Sequence, residues 1–137
     1  MTSLNKLAAS NKLYLNQIKR HLIPENFDEF RAATSISKEK SHLLGVEIGR
    51  KKCGIAISDH RHNIAMPLEI VTTNCLTSYL RYLYSTVGFS GLIIGLPLTL
   101  TGNMGSSALH ICSIVNDMAD FINNTSLSIW LHDERYS

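Results

Sequence analysis

Three carboxylates occupy positions that could form a metal site at one edge of a sheet. Glu47 lies in an apolar run, residues 43–48, and Asp133 and Glu134 directly follow a second run that alternates in hydrophobicity, residues 127–131. If the two runs are neighbouring strands, the three carboxylates meet. Magnesium prefers carboxylate oxygens as ligands, and magnesium held in this way serves phosphodiester hydrolysis. Spacing alone is weak support, because short acidic motifs often occur by chance.

The composition is that of a folded globular protein. The chain has 137 residues, which fits a single domain, and 45% of them are hydrophobic against 18% charged, which excludes the disordered class. A net charge of +2 neither requires nor excludes a nucleic-acid partner, because local patches matter more than the total. The three cysteines have no metal-binding spacing and predict reduced thiols. No apolar run approaches the roughly 18 residues of a membrane span, so we expect a cytoplasmic protein with no membrane partner.

A basic extension, residues 1–41, precedes the remaining chain. Leucine and isoleucine recur at helical spacing from Leu4 to Leu22, and residues 1–24 carry four basic side chains and no acid. Pro24 is expected to end this helix. We expect the helix to pack on the domain. The alternatives are an organellar presequence, which would change the localisation, and a basic arm that grips phosphate.

From residue 42 onwards the pattern predicts the order β-β-β-α-β-α-β. Two apolar runs around a glycine-led loop predict a hairpin, and a helix before each of the last two strands predicts parallel pairing with right-handed crossovers. The fold class is therefore α/β, a mixed sheet with helices on its faces. The predicted strands are 42–48, 53–58, 67–72, 89–95 and 127–131, and the predicted helices are 75–86 and a segment capped by Ser106 or Ser107 that ends near Asn123.

Four segments resemble the landmarks of the YqgF family, in the family's order. They are residues 43–59, Ala65-Met66-Pro67-Leu68, Ile93-Ile94-Gly95-Leu96-Pro97-Leu98 followed by Gly102, and His132-Asp133-Glu134-Arg135. The resemblance implies an RNase H-like fold for residues 42–137. Members of the family are described as Holliday junction resolvases and as nucleases that process the 5′ end of pre-16S ribosomal RNA, so the resemblance also implies a metal-dependent nuclease.

The same resemblance implies roles for individual residues. Glu47 takes the place of the first catalytic carboxylate, and Asp133 and Glu134 take the places of the second acidic pair. Glu47 and Glu134 are expected to bind Mg²⁺ or Mn²⁺, and Asp133 to bind the metal as well or to support the site. Nucleic acid is the expected partner, and the residues expected to bind it are Arg50, Lys51, Lys52 and Arg135. The residues expected to shape the loops around the site are Gly49, Gly54, Gly95, Pro97 and Gly102.

This chain departs from the family pattern at three positions. The family has aspartate in place of Glu47, often has aspartate in place of Thr101, and has a last aspartate in helices beyond the equivalent of Ser137. We therefore expect an incomplete C-terminal region that leaves an apolar sheet face exposed, covered by a second copy or another partner, or else a truncated gene product.

Two functional hypotheses follow. The first is an endonuclease on structured nucleic acid, with pre-16S ribosomal RNA processing ahead of Holliday junction resolution. The alternative is a catalytically inactive module that binds nucleic acid or protein through the same fold.

Overall fold

The computed structural model describes residues 12–35, 42–59 and 61–134. From residue 42 onwards the predicted element order is confirmed, except that the second helical position is divided into two helices. No helix in the described ranges is long and apolar enough to cross a bilayer. The elements are a 3-10 turn (Arg20–Leu22), α1 (Phe27–Ser35), β1 (His42–Ile48), β2 (Lys52–Ser58), β3 (Ala65–Thr72), a 3-10 turn (Thr73–Cys75), α2 (Leu76–Thr86), β4 (Phe89–Leu96), α3 (Ser106–Asp117), α4 (Ala119–Thr125) and β5 (Ser128–Asp133).

The five strands form one mixed sheet in the order β3-β2-β1-β4-β5. The β1–β2 and β2–β3 pairs are antiparallel, whereas β1–β4 and β4–β5 are parallel, as the crossovers predict. The β1–β2 turn begins at Gly49, whose N–H donates to the Lys52 carbonyl at 3.0 Å. A Cβ at position 49 would lie 2.5 Å from that oxygen, so the turn requires glycine.

One sheet face carries the main hydrophobic core. Alternate residues of the strands point to this face, and α2, α3 and α4 cover it with their apolar sides. Strand β4 is buried on both faces along most of its length, as predicted for a central strand. The strand residues that form this core include Leu44, Val46, Cys53, Ile55, Leu92, Ile94, Ile129 and Leu131.

The N-terminal extension packs on the same core, but not as the predicted continuous helix. Leu15, Ile18 and Leu22 are buried there, whereas residues 16–22 form a turn and a 3-10 turn. The side chains of Asn116 and Asn123 explain the difference.

Each asparagine side chain holds two backbone groups of the extension. Asn116 accepts the N–H of Gln17 at 3.2 Å and donates to the Tyr14 carbonyl at 2.8 Å. Asn123 accepts the N–H of Lys19 at 2.9 Å and donates to the Gln17 carbonyl at 3.0 Å. These bonds replace helical backbone partners, so tertiary contacts override the helical pattern. The start of the predicted helix, including Leu4, lies outside the described residues, and the domain division after residue 41 stays a prediction.

Helix α1 covers part of the opposite sheet face. Phe30 is fully buried against Leu43 and Trp130, and its ring lies 6.3 Å from the indole. A Cβ at Gly91 would lie 2.9 Å from the Phe30 ring and 2.7 Å from the Thr34 methyl, so the helix approaches the sheet at a glycine. Trp130 therefore packs under a helix, and that helix belongs to the N-terminal extension.

The rest of this face is open. Gly45, Ala56 and Ile93 are only partly covered, and the edge strand β3 exposes Ile70, the partner of Gly54, at 70%. The described residues thus contain the apolar surface that the sequence predicts. What covers it stays a prediction.

The predicted serine cap of the second helical segment is wrong. Gly105 is the N-cap residue of α3, without a side-chain capping bond, and Ser106 is already helical. The Gly105 carbonyl accepts the N–H of Leu109 at 3.0 Å, which begins the helical ladder one residue earlier than predicted.

We expect Phe30→Ala to lower the free energy of unfolding by about 3 kcal/mol, because it leaves a cavity under α1. Leu13→Ala, at a side chain that is 67% exposed, should change it by less than about 0.5 kcal/mol. Urea denaturation followed by Trp130 fluorescence measures both. Equal stability of Phe30→Ala and the wild type would show that α1 does not pack on the sheet.

Candidate active site

Glu47 lies between two glycines on the open sheet face. Gly54 pairs with it from β2, and extension of the β1–β4 register places Gly95 on its other side. His132 pairs with Gly95 from β5 and completes a row across four strands. The two glycines leave the space beside the Glu47 side chain empty of other strand side chains.

The carboxylate of Glu134 occupies the space above Gly95. The Glu134 N–H donates to the Leu96 carbonyl at 3.1 Å, which extends the β4–β5 ladder by one residue. A Cβ at Gly95 would lie 2.5 Å from Oε2 and 2.6 Å from Oε1 of Glu134. Any side chain at position 95 would displace this carboxylate, so glycine is required for the contact.

Glu47 and Glu134 form a hydrogen-bonded carboxyl pair. The hydrogen bond to Glu134 raises the pKa of Glu47 to about 7, with further contributions from burial and from the negative charge of Glu134. The charge of His132 acts in the opposite direction. Two carboxyl groups this close cannot both ionise easily, so Glu47 keeps its proton to higher pH than an ordinary glutamate. A bound cation would remove the same repulsion.

The predicted convergence of three carboxylates is wrong for the described residues. Asp133 pairs with Leu96 in the parallel ladder and therefore shares the face of Leu131, away from Glu47. Within the described ranges, no group of three histidine, cysteine or acidic side chains could hold a metal. The pair consists of Glu47 and Glu134, and a supporting role for Asp133 stays a prediction.

For His132 the sequence favours local packing at the strand end over a place beside a substrate phosphate, and the structure shows this residue near the pair. It is exposed, and its charge acts on Glu47. The signal was available, because His132 and Glu134 are two positions apart at the end of an alternating strand and thus share a face.

The predicted cations of the hairpin lie at the same edge of the sheet. Arg50, Lys51 and Lys52 are all exposed in the turn that follows Glu47 along the chain. Thr73 anchors this turn from the end of β3: its Oγ1 donates to the Gly49 carbonyl at 2.8 Å, and its N–H donates to the Lys51 carbonyl at 2.9 Å. No sequence signal identifies Thr73. Arg135 lies outside the described residues.

The remaining loop residues shape the end of β4. Pro97 is exposed directly after the strand. Gly102 has a φ of 85° in a tight turn in which its N–H donates to the Thr99 carbonyl at 2.8 Å, so the turn favours glycine.

The carboxyl pair opens into a cavity of about 460 Å³ on the bare half of the sheet, and its walls include Glu47, Glu134 and His132. A second cavity of about 740 Å³ lies between α1 and the β2–β3 turn. A substrate much larger than a single ion has access to the pair from this side.

We expect Gly95→Ala to weaken binding of Mg²⁺ by about tenfold or more, because the added methyl displaces the Glu134 carboxylate. Gly45→Ala is the matched control on the same face, since a Cβ there meets nothing within 4 Å. Isothermal titration calorimetry measures both. Equal affinities in the two variants would contradict the proposed contact.

We also expect a pH-dependent stability. With a pKa near 7 in the folded state against 4.5 as its ordinary value, Glu47 holds its proton more tightly when folded. The stabilising contribution of Glu47 to the free energy of unfolding is thus complete below pH 4.5 and is lost as the pH rises to 7. The full shift corresponds to about 3 kcal/mol, which solvent exposure of Glu47 reduces to about 1 kcal/mol.

Urea denaturation at pH 5 and pH 8, without metal, tests this loss. The Glu47→Gln variant cannot ionise at this position. From pH 5 to pH 8 its free energy of unfolding should therefore rise by about 1 kcal/mol relative to that of the wild type. Parallel pH profiles of the two proteins would show that the carboxyl pair does not share a proton.

Comparison with known proteins identifies the family and the fold. The family model described as "RuvX: Holliday junction resolvase" matches residues 41–137. A protein of Orientia tsutsugamushi (strain Ikeda) named as a candidate pre-16S rRNA nuclease is 32% identical over 116 residues, 83% of this chain and 70% of its own length. A protein of Pelagibacter ubique (strain HTCC1062) with the same name is 33% identical over 102 residues, 72% of this chain and 65% of its own.

Among solved structures, T. thermophilus RuvC in complex with a Holliday junction substrate superposes with a TM-score of 0.50 at 7% identity, over 68% of this chain and 64% of that one. This likeness shows the fold alone, which is RNase H-like. The chain spans 65% to 70% of the length of the two relatives above. The match of the family model over residues 41–137 confirms the resemblance of the four motifs, and the chain belongs to the RuvX family, also called YqgF.

Proposed function

We propose that this protein is a metal-dependent endonuclease that hydrolyses phosphodiester bonds in structured nucleic acid. The observation that carries the proposal is the hydrogen-bonded pair of Glu47 and Glu134 in an open groove, beside the exposed cations of the β1–β2 turn. Carboxylates suit a divalent ion, and cations suit phosphates on either side of the scissile bond. The names of the relatives support the same class.

The chemistry of the pair fits a hard divalent cation. Mg²⁺ commonly binds proteins through one or two carboxylates and completes its coordination with waters and substrate phosphates. Glu47 and Glu134 would hold Mg²⁺ or Mn²⁺, and the ion would supply an acidified water and positive charge at the phosphate. Since the pKa of Glu47 is raised to about 7, metal binding requires loss of the shared proton and should strengthen above pH 7.

The other residues at the site bind and orient the substrate. Arg50, Lys51 and Lys52 provide point charges for phosphates that flank the scissile bond, and Thr73 fixes the backbone from which they project. His132 is exposed beside the pair and is placed to contact a phosphate oxygen. Gly54 keeps the sheet surface low on one side of Glu47, so the backbone of the substrate can approach, whereas Gly95 leaves room for the Glu134 carboxylate.

Pre-16S ribosomal RNA is the first choice of substrate, because the matched relatives carry that name, and a Holliday junction is the second. Cytoplasmic localisation fits either substrate. A catalytically inactive binding module is less well supported, since the two carboxylates meet as a nuclease site needs.

We expect Glu134→Gln and Glu47→Gln to lose Mg²⁺ binding and to reduce cleavage by about 100-fold or more, since each removes one of two proposed ligands. The assay follows cleavage of a 5′-extended 16S precursor RNA, with products ending in a 5′-phosphate and a 3′-hydroxyl. Asp120→Asn, an exposed acid on α4 of the opposite face, is the matched control and should cleave like the wild type.

Wild-type cleavage by purified Glu134→Gln would exclude the mechanism. A folded wild-type protein that neither binds Mg²⁺ nor cleaves the RNA or a four-way junction would favour the inactive binding module.

A further inference from the structure

The groove at the carboxyl pair continues along the open sheet face. Its cavity shares four lining residues with the larger one beside α1, so the two are continuous. We call the second part, between α1 and the β2–β3 turn, the distal groove. Leu43 lines it, four residues before Glu47 on β1, a separation of roughly 13 Å along the strand. The shared residues are Gly45, Ala56, Ala65 and Ile93.

The distal groove has basic walls on both sides. Arg31 projects from α1 and Arg61 from the β2–β3 turn, and both are exposed. Among the residues that the structure describes, neither guanidinium forms a salt bridge. His62 also lines the groove, and among the described residues of its lining Asp28 is the one acid. The charge therefore changes from acidic at Glu47 and Glu134 to basic at the distal end.

An exposed aromatic ring lies in the same wall. Phe27 is 43% exposed and lines the distal groove. Its ring centroid lies 5.5 Å from that of Trp130 at 65° and 5.8 Å from that of Phe30 at 26°. Packing on one side holds the ring in place, while the exposed part can receive another flat group. A basic groove with an aromatic platform is the combination that binds single-stranded nucleic acid.

We propose that the distal groove binds a single-stranded segment of the nucleic acid whose scissile phosphate lies at the carboxyl pair. Phe27 stacks on a base, and Arg31 and Arg61 contact phosphates. The small residues Gly45 and Ala56 leave the floor of the groove low enough for such a segment. This inference rests on the proposed function, to which it adds a strand-binding subsite.

The N-terminal extension supplies one wall of this subsite. Phe27 and Arg31 precede residue 41, where the match to the family model begins. This wall therefore lies outside residues 41–137, which the family model matches, and outside the motifs that carry the family resemblance.

Fluorescence anisotropy with a 5′-fluorescein-labelled 12-nucleotide oligouridine RNA tests the subsite on the full chain, in EDTA so that no cleavage occurs. The double variant Arg31→Ala/Arg61→Ala should weaken binding by about tenfold or more at 50 mM KCl. The slope of log K against log salt should fall by about 0.7 for each phosphate that the variant no longer neutralises. Arg20→Ala, an exposed arginine in the segment that packs on the opposite face, is the matched control and should bind like the wild type.

Variants of Phe27 test the stacking platform separately. Phe27→Leu keeps an apolar contact with Trp130 and should weaken binding by about fivefold or more without changing the salt slope. Phe27→Tyr keeps the ring and should bind like the wild type, which controls for misfolding. Binding of the arginine double variant equal to that of the wild type would overturn the proposal, as would an unlabelled duplex that competes as well as the single strand.

The result of the binding experiment does not depend on whether the protein cleaves nucleic acid. Arginine-dependent binding without cleavage by the wild type would reject the proposed nuclease and retain the subsite. Cleavage that depends on Glu134, with no effect of the arginine and Phe27 variants on binding, would retain the nuclease and reject the subsite.

Discussion

The parallel ladders of β1, β4 and β5 determine which side chains reach the acidic edge of the sheet. Their register places Gly95 beside Glu47, and one further backbone bond, from the Glu134 N–H to the Leu96 carbonyl, brings the second carboxylate over that glycine. The contact depends on the missing Cβ of Gly95, because a methyl group would occupy the position of the carboxylate. The site is thus a consequence of strand register and of one residue without a side chain.

The carboxyl pair destabilises the fold near neutral pH, and the proposed metal binding would offset this cost. The hydrogen bond between the two acids raises the pKa of Glu47. The folded protein therefore loses stability as the pH rises toward neutrality. A divalent cation would convert this repulsion into attraction on both carboxylates. Nearby cations on the β1–β2 turn and at the distal groove complement a polyanion, so the charges along the open face suit the strand that we propose it binds.

The N-terminal extension contacts both faces of the sheet. On the core face, Asn116 and Asn123 bind its backbone, while leucine and isoleucine side chains fill the core. The chain then crosses to the other face, where Phe30 of α1 packs against Trp130 of β5. The extension therefore stabilises the domain and at the same time forms one wall of the open groove.

Local patterns in the sequence determined the elements and the candidate acids. Alternation and helical periodicity predicted the five strands and their order from residue 42. They could do so because the side chains on the buried face of a strand or helix recur at the period of that element. The Asp-Glu pair at the end of a strand identified Glu134 as a candidate, and the hairpin placed Glu47.

Only the tertiary structure decided which acids meet. Asp133 and Glu134 are neighbours in the sequence, but pleating sends Asp133 to the other face, so the site has two described carboxylates rather than three. The extension was misread as a continuous helix because the asparagine side chains that bind it lie about a hundred residues away. The position of α1 over Gly91 and Trp130 likewise depends on long-range packing, and local periodicity contains no information about which distant surface an element covers.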